Sequence, residues 1–152
     1  ERPWLGLIGP TGVCKTRCCF LLLREVVTDL IRPAEDPDMM LWVPSFEVVS
    51  AYRFGEAVMG QFNDDSKAEA IEFLRRIRKI DVLLIDDLGK QRNSPAVGAE
   101  LFALIDHRHA GNLRTIWTAN SSPEGIVAGM PEDLAAPLAG RIRECSTIIT
   151  IK

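Results

Sequence analysis

Apolar runs alternate with helically spaced patterns along the chain. Trp4 to Ile8 is an apolar run and reads as a strand. Lys15 to Ile31 reads as a helix. Its Cys18, Phe20, Leu22, Leu23, Val26, Val27 and Leu30 make it apolar on most sides, which predicts a largely buried helix. Arg32-Pro33 ends it, and Pro33 to Asp38 reads as a polar loop. Met39 to Val43 reads as a second strand. Phe46 to Phe62 and Ser66 to Arg78 read as amphipathic helices separated by Asn63-Asp64-Asp65, the latter with Ala70, Phe73, Leu74 and Ile77 on one face. Val82 to Ile85 is apolar towards both faces, the mark of a buried strand. Ser94-Pro95 supplies a cap and a first-turn proline for a helix that runs to about His109. Gly111 stops that helix. Thr115 to Thr118 is the next strand, Ser122-Pro123-Glu124 starts a short helix, a further helix carries Leu134 to Glu144, and Thr147 to Ile151 is the last strand.

Strand, loop and helix recur about five times, which predicts an α/β fold with a parallel sheet covered on both faces. In such sheets ligands bind beyond the carboxyl ends of the strands. The informative positions are therefore those just after residues 8, 85 and 118.

The chain of 152 residues fits one domain, 1–152. Its formal net charge of -3 excludes a globally basic nucleic-acid binder and leaves room for a local basic stripe. No apolar run approaches the ~18 residues of a membrane span. Cys14, Cys18, Cys19 and Cys145 lack a second ligand pair at zinc spacing and read as small buried apolar residues in a reducing cytoplasm. Trp4, Trp42 and Trp117, on strands, read as core. His107 and His109, two apart at a helix end, point different ways and do not share a metal.

The chemistry sits at the strand ends. After the first strand stands Gly9-Pro10-Thr11-Gly12-Val13-Cys14-Lys15-Thr16. A phosphate loop needs inward backbone N–H groups in tight turns, a lysine for the β and γ phosphates, and a hydroxyl for Mg²⁺. The helix that follows points its positive end at the anion. Gly9, Gly12, Lys15 and Thr16 hold the required spacing, whereas Cys14 occupies the place of the last glycine. A β-carbon there crowds the phosphates or demands a costly backbone angle, unless the backbone stays on the allowed side. After the third strand come Asp86 and Asp87. An acid at that place supports the metal, and its neighbour can orient and deprotonate a water. Asn120, after the fourth strand, is placed to hold that water, or else caps a turn. Arg141 and Arg143 ordinarily form a solvated helix end. In an oligomeric ATPase one of them reaches a neighbour's γ phosphate. The cluster Arg75-Arg76-Ile77-Arg78-Lys79 is either a solvated helix end that favours the dipole or a contact for nucleic-acid phosphates. Lys90 and Arg92 are likewise solvated, or face DNA inside a ring.

Four stretches, GPTGVCKT, VLLIDDLGK, LFALIDHRHAGNLRTIWTANSSPEGI and LAGRIRECSTIITI, together resemble AAA+ ATPases, and more narrowly the DnaC/DnaI-like and IstB-like helicase-loader and transposition-helper branch. The third stretch is the most specific: a helix ending near Arg108, then a strand leading to Thr118-Ala119-Asn120-Ser121-Ser122-Pro123-Glu124. The resemblance implies a P-loop NTPase three-layer sandwich with a five-stranded parallel sheet and no helical lid. It implies that ATP or ADP with Mg²⁺ is held by Gly9, Pro10, Thr11, Gly12, Val13, Cys14, Lys15, Thr16 and Arg17, with Thr16 and Asp86 on the metal. It further implies Asp87 as base, Asn120 as first sensor, and Arg141 as a finger acting in trans within a ring or spiral of copies. The implied partners are a helicase or transposase, contacted through an upstream region outside this sequence, and single- or double-stranded DNA. Two features depart from the pattern: Cys14, and an aspartate rather than a glutamate at position 87, whose reach is shorter. The resulting expectation is a slow, oligomer- or partner-dependent ATPase. The alternatives are a nucleotide-gated assembly module in which Cys14 impairs hydrolysis and, with no arginine-bearing lid in evidence, a P-loop small-molecule kinase.

Overall fold

In a computed structural model the described residues are 4–31, 42–91 and 94–152. The elements are β1 (Trp4–Ile8), α1 (Lys15–Leu30), β2 (Phe46–Ser50), α2 (Ala51–Gly60), α3 (Lys67–Lys79), β3 (Val82–Leu88), α4 (Pro95–Ala110), β4 (Arg114–Ala119), α5 (Pro123–Ile126), α6 (Glu132–Cys145) and β5 (Ser146–Thr150). The strands form one sheet in the order β2-β3-β4-β1-β5, and every pair is parallel. The expected α/β class and five-stranded parallel sheet are thus observed. No helix among the described residues is long and apolar enough to cross a membrane.

The alternation of β3 explains its central place. Leu83 and Ile85 face a large core with Phe54, Phe73, Leu101, Trp117 and Ile142, while Val82 and Leu84 face a smaller core with Leu7, Cys19 and Leu23 from α1. The larger core is built by α2, α3, α4 and α6. Trp117 lies across Gly6, where any β-carbon would collide with the indole ring. Trp4 and Trp117 are core residues as expected, each with its ring N–H satisfied, by the Leu113 carbonyl at 3.0 Å and by Ser146 Oγ at 2.9 Å.

Two expectations require correction. Among the described residues the second strand is Phe46–Ser50, downstream of the expected residues 39–43. Of the latter, Met39, Met40 and Leu41 lie outside the described residues, as does the polar loop 33–38, and Trp42 is half-buried. The residues 46–62 are not one helix: the β-branched Val48 and Val49 extend alongside Leu84 and Ile85. Ser50 then caps the helix that begins at Ala51, accepting the Arg53 N–H at 3.2 Å. Finally, α1 is less buried than its composition implies. Lys15, Cys19 and Leu23 are its buried residues, whereas Phe20 and Leu21 are about half exposed (49% and 50%). Among the described residues α1 is the helix packed into the smaller core, so its outer side has no layer above it.

Candidate nucleotide site

The loop Gly9–Cys14 joins β1 to α1 and is pinned from beneath. Gly9 N–H donates to the Ala119 carbonyl at 3.2 Å, and a β-carbon at Gly9 would strike the Ile151 carbonyl oxygen. Two residues turn through the left-handed region, Gly12 at φ 93° and Cys14 at φ 58°. For Cys14 this resolves the alternatives left by the sequence: the backbone adopts the costly angle. A side chain there costs about 1–2 kcal/mol relative to the right-handed region. The Cys14 thiol is exposed at the rim, contrary to its expected burial, and its carbonyl accepts the Cys18 N–H at 3.0 Å to start the helix. Lys15 is buried, and its ammonium donates to the carbonyls of Gly9 at 2.8 Å and Pro10 at 2.7 Å. Thr16 Oγ1 donates to both carboxylate oxygens of Asp86, at 3.0 and 3.1 Å. Val13 is half-buried, and Arg17 points into solvent from the first turn of α1.

The acids do not simply end a strand. β3 continues through them to Leu88, and its register against β4 shifts between Ile85 and Leu88. Such a bulge re-aims side chains next to a site. Asp87 sits at φ 59°, and its N–H, taken out of the ladder, donates to Thr118 Oγ1 at 2.7 Å. The same hydroxyl donates to Asp86 Oδ1 at 2.6 Å. Thr118 therefore fixes both acids, a role that neither its residue type nor its place beside Asn120 revealed. Asn120 Nδ2 reaches Thr11 Oγ1 at 3.5 Å. Lys90 pairs with Asp87 Oδ2 at 2.8 Å and so belongs to the surroundings of this site. Arg92 lies outside the described residues.

A cavity of about 300 Å³ is lined by Thr11, Gly12, Cys14, Lys15, Thr16, Asp87, Lys90 and Asn120. Its chemistry fits a nucleotide polyphosphate: a buried ammonium, a second lysine, and the amino-terminal end of a sixteen-residue helix. The donors also fit Mg²⁺, which takes one or two protein oxygens and completes its shell with phosphate and water. The Thr16 hydroxyl and the Asp86 carboxylate are such hard oxygens, already side by side. Among the described residues no group of three or more His, Cys, Asp or Glu could hold a metal by protein ligands alone. Behind Asp86, burial and the nearby carboxylate push the Cys19 thiol up to about 12, so it stays protonated and apolar in character.

Arg141 is not brought to this cavity. It lies in α6 beside a separate cleft of about 550 Å³ with Phe102, Pro137 and Gly140, and pairs with Asp106 at 3.0 Å and Glu144 at 3.4 Å. Arg143 pairs with Glu124 at 2.9 Å. In the basic cluster, Arg75 pairs with Glu72, Arg76 with Glu47 and Arg78 with Glu100. Arg108 is fully buried. Its guanidinium donates to Thr115 Oγ1 and to the carbonyls of Ile77, Ile80 and Arg114, tying α3, α4 and β4 together. Burial pushes it down to about 10.

No protein-family model matches the chain. It is 24% identical over 144 residues to the chromosomal replication initiator protein DnaA of Bifidobacterium animalis subsp. lactis (strain AD011), spanning 95% of this chain and 23% of that protein. Among solved structures it resembles the DnaC helicase loader (TM-score 0.69, 22% identity, 100% of this chain and 80% of that one). It also resembles DnaI (0.71, 23%, 100% and 77%). A replication initiator DnaA bound to AMPPCP and single-stranded DNA matches with a TM-score of 0.70 at 17% identity, over 98% of this chain and 40% of that one. What the chain shares with these structures is the fold, a parallel sheet flanked by helices. The chain spans less than a quarter of the curated relative.

Proposed function

We propose that this chain is an ATP-binding AAA+ domain of the helicase-loader branch that hydrolyses ATP to load or remodel a DNA-bound machine, such as a replicative helicase or a transposase, in the cytoplasm. The observation that carries the reading is the convergence of Lys15, the Thr16–Asp86–Thr118 hydrogen-bond chain and Asp87 around one cavity. The backbone of Gly9 to Cys14 wraps the phosphates, and Lys15 exchanges its loop carbonyls for phosphate oxygens. Thr16 and Asp86 hold Mg²⁺, which when bound neutralises charge on the β and γ phosphates. Asp87 accepts a proton from the attacking water, and Asn120 orients that water. Arg141, remote from its own cavity, serves the γ phosphate of a neighbouring copy in a ring or spiral. Neighbours bound to single-stranded DNA or named as helicase loaders support DNA and a helicase as partners.

The left-handed Cys14 favours one variant of this reading, a nucleotide-gated assembly switch with little turnover. Phosphate release as a function of protein concentration tests the proposal. Specific activity that rises with concentration, and that recovers when Lys15→Ala and Arg141→Ala chains are mixed, is the expected result. Activity that is constant with concentration and unaffected by Asp87→Asn contradicts it.

A further inference from the structure

Lys90 lines the candidate cavity, and none of the roles assigned above accounts for it. The turn that carries it is fixed. Lys90 N–H donates to the Asp87 carbonyl at 3.0 Å, Gly89 takes φ 102°, and Gly89 N–H donates to the buried Gln91 side chain at 2.7 Å. The side chain is about half exposed (51%), so its long stem can change rotamer while its base stays put. Its ammonium lies 2.8 Å from Asp87 Oδ2, on the carboxylate read above as the base, within the same cavity as Lys15 and Thr16. Among the described residues, the charged side chains lining that cavity are two lysines and one aspartate. Lys15 is engaged by uncharged carbonyls, whereas Lys90 is neutralised by Asp87.

We infer that Lys90 is a second phosphate-contacting residue, specific for the terminal phosphate of a nucleoside triphosphate, and that on contacting it Lys90 releases Asp87 to act on water. This rests on the nucleotide-binding reading of the site. A terminal phosphate carries about −1.5 to −2 charge against −1 for a carboxylate, and offers three acceptor oxygens to an ammonium with three donors. It therefore competes successfully with Asp87 for Lys90. A nucleoside diphosphate lacks that group and leaves the Lys90–Asp87 pair intact. In the step that follows, the water oxygen bonds to the γ phosphorus as the bond to the β–γ bridging oxygen breaks. The diphosphate leaves with that electron pair, and the water proton passes to Asp87 and then to the released phosphate. The ion pair thus keeps the base occupied until the correct substrate arrives.

The test is calorimetric titration with AMPPCP and with ADP, both with Mg²⁺, for the parent, Lys90→Met and Lys90→Arg. The expected result for Lys90→Met is an ADP affinity within about twofold of the parent, which also shows that the variant is folded, and a loss of about tenfold in AMPPCP affinity. Lys90→Arg, which keeps the charge, retains most of the preference for AMPPCP. An unchanged ratio of the two affinities in Lys90→Met overturns the assignment of Lys90 while leaving the nucleotide site standing. A parent chain that binds neither nucleotide overturns the site itself and this inference with it.

Discussion

Thr118 Oγ1 donates to Asp86 Oδ1 at 2.6 Å, and the same oxygen receives the backbone N–H of Asp87 at 2.7 Å. One hydroxyl on β4 therefore sets the positions of two adjacent acids on a bulged β3. Thr118→Val keeps the shape and removes both bonds. The expected loss is about 1–2 kcal/mol of stability, because the Asp87 N–H is left without its acceptor. Mg²⁺-dependent nucleotide affinity falls as well, whereas Thr118→Ser keeps both properties. Chemical denaturation and nucleotide titration of the two variants check this.

Arg108 joins three elements through a buried guanidinium whose acceptors are mostly backbone carbonyls. Arg108→Met abandons those carbonyls in the interior and is expected to cost about 2–4 kcal/mol, read as a shifted urea midpoint. Arg108→Lys, with a compact ammonium in place of the planar fork, recovers only part of it.

Cys14 separates backbone from thiol effects. Cys14→Gly relieves the left-handed β-carbon and is expected to raise stability by up to about 1 kcal/mol, the glycine's own chain entropy offsetting part of the gain. Cys14→Ala keeps the β-carbon and is expected to leave stability near the parent value. Thermal melts of the pair distinguish the two causes, and turnover of Cys14→Gly shows whether the cysteine restrains hydrolysis.

The paired Arg76 guanidinium holds Glu47 below the usual glutamate value of 4.5. A carboxylate depressed in the folded state stabilises above its unfolded value, and that contribution is lost as pH falls through the folded value. Arg76 is nearly half exposed (46%), so solvent screening limits the effect to about 0.5–1 kcal/mol. Glu47→Gln is expected to flatten the stability profile below about pH 4.5 and to leave its slope unchanged above pH 6. Denaturation midpoints measured across that range check it.

Most of the candidate site was legible in the sequence because the chemistry proposed for it is local. Glycines, a lysine and a hydroxyl at fixed spacing between a strand and a helix point to a phosphate site, and two acids after an apolar run point to its metal side. What escaped depends on the rest of the molecule. Residues 46–62 read as one helix because Phe46, Val49 and Phe54 also suit helical spacing, and the pairing of β2 with β3 overrode that pattern. The one local signal was Ser50, a helix cap. The exposure of Phe20 and Leu21 reflects how few layers cover α1, which no periodicity encodes. The bridging role of Thr118 and the pairing of Lys90 with Asp87 both arise from the bulge at Asp86–Asp87. A bulge is a mismatch between two strands and is not visible in either alone.

The central claim is that the Gly9–Thr16 loop and Asp86 form a Mg²⁺-nucleotide site. Its most direct test is calorimetric titration of the parent and of Lys15→Ala with AMPPCP, in Mg²⁺ and in EDTA. The account predicts saturable one-to-one binding by the parent that weakens in EDTA and disappears in Lys15→Ala. Binding that is undetectable in the parent, or unchanged by Lys15→Ala, would contradict it.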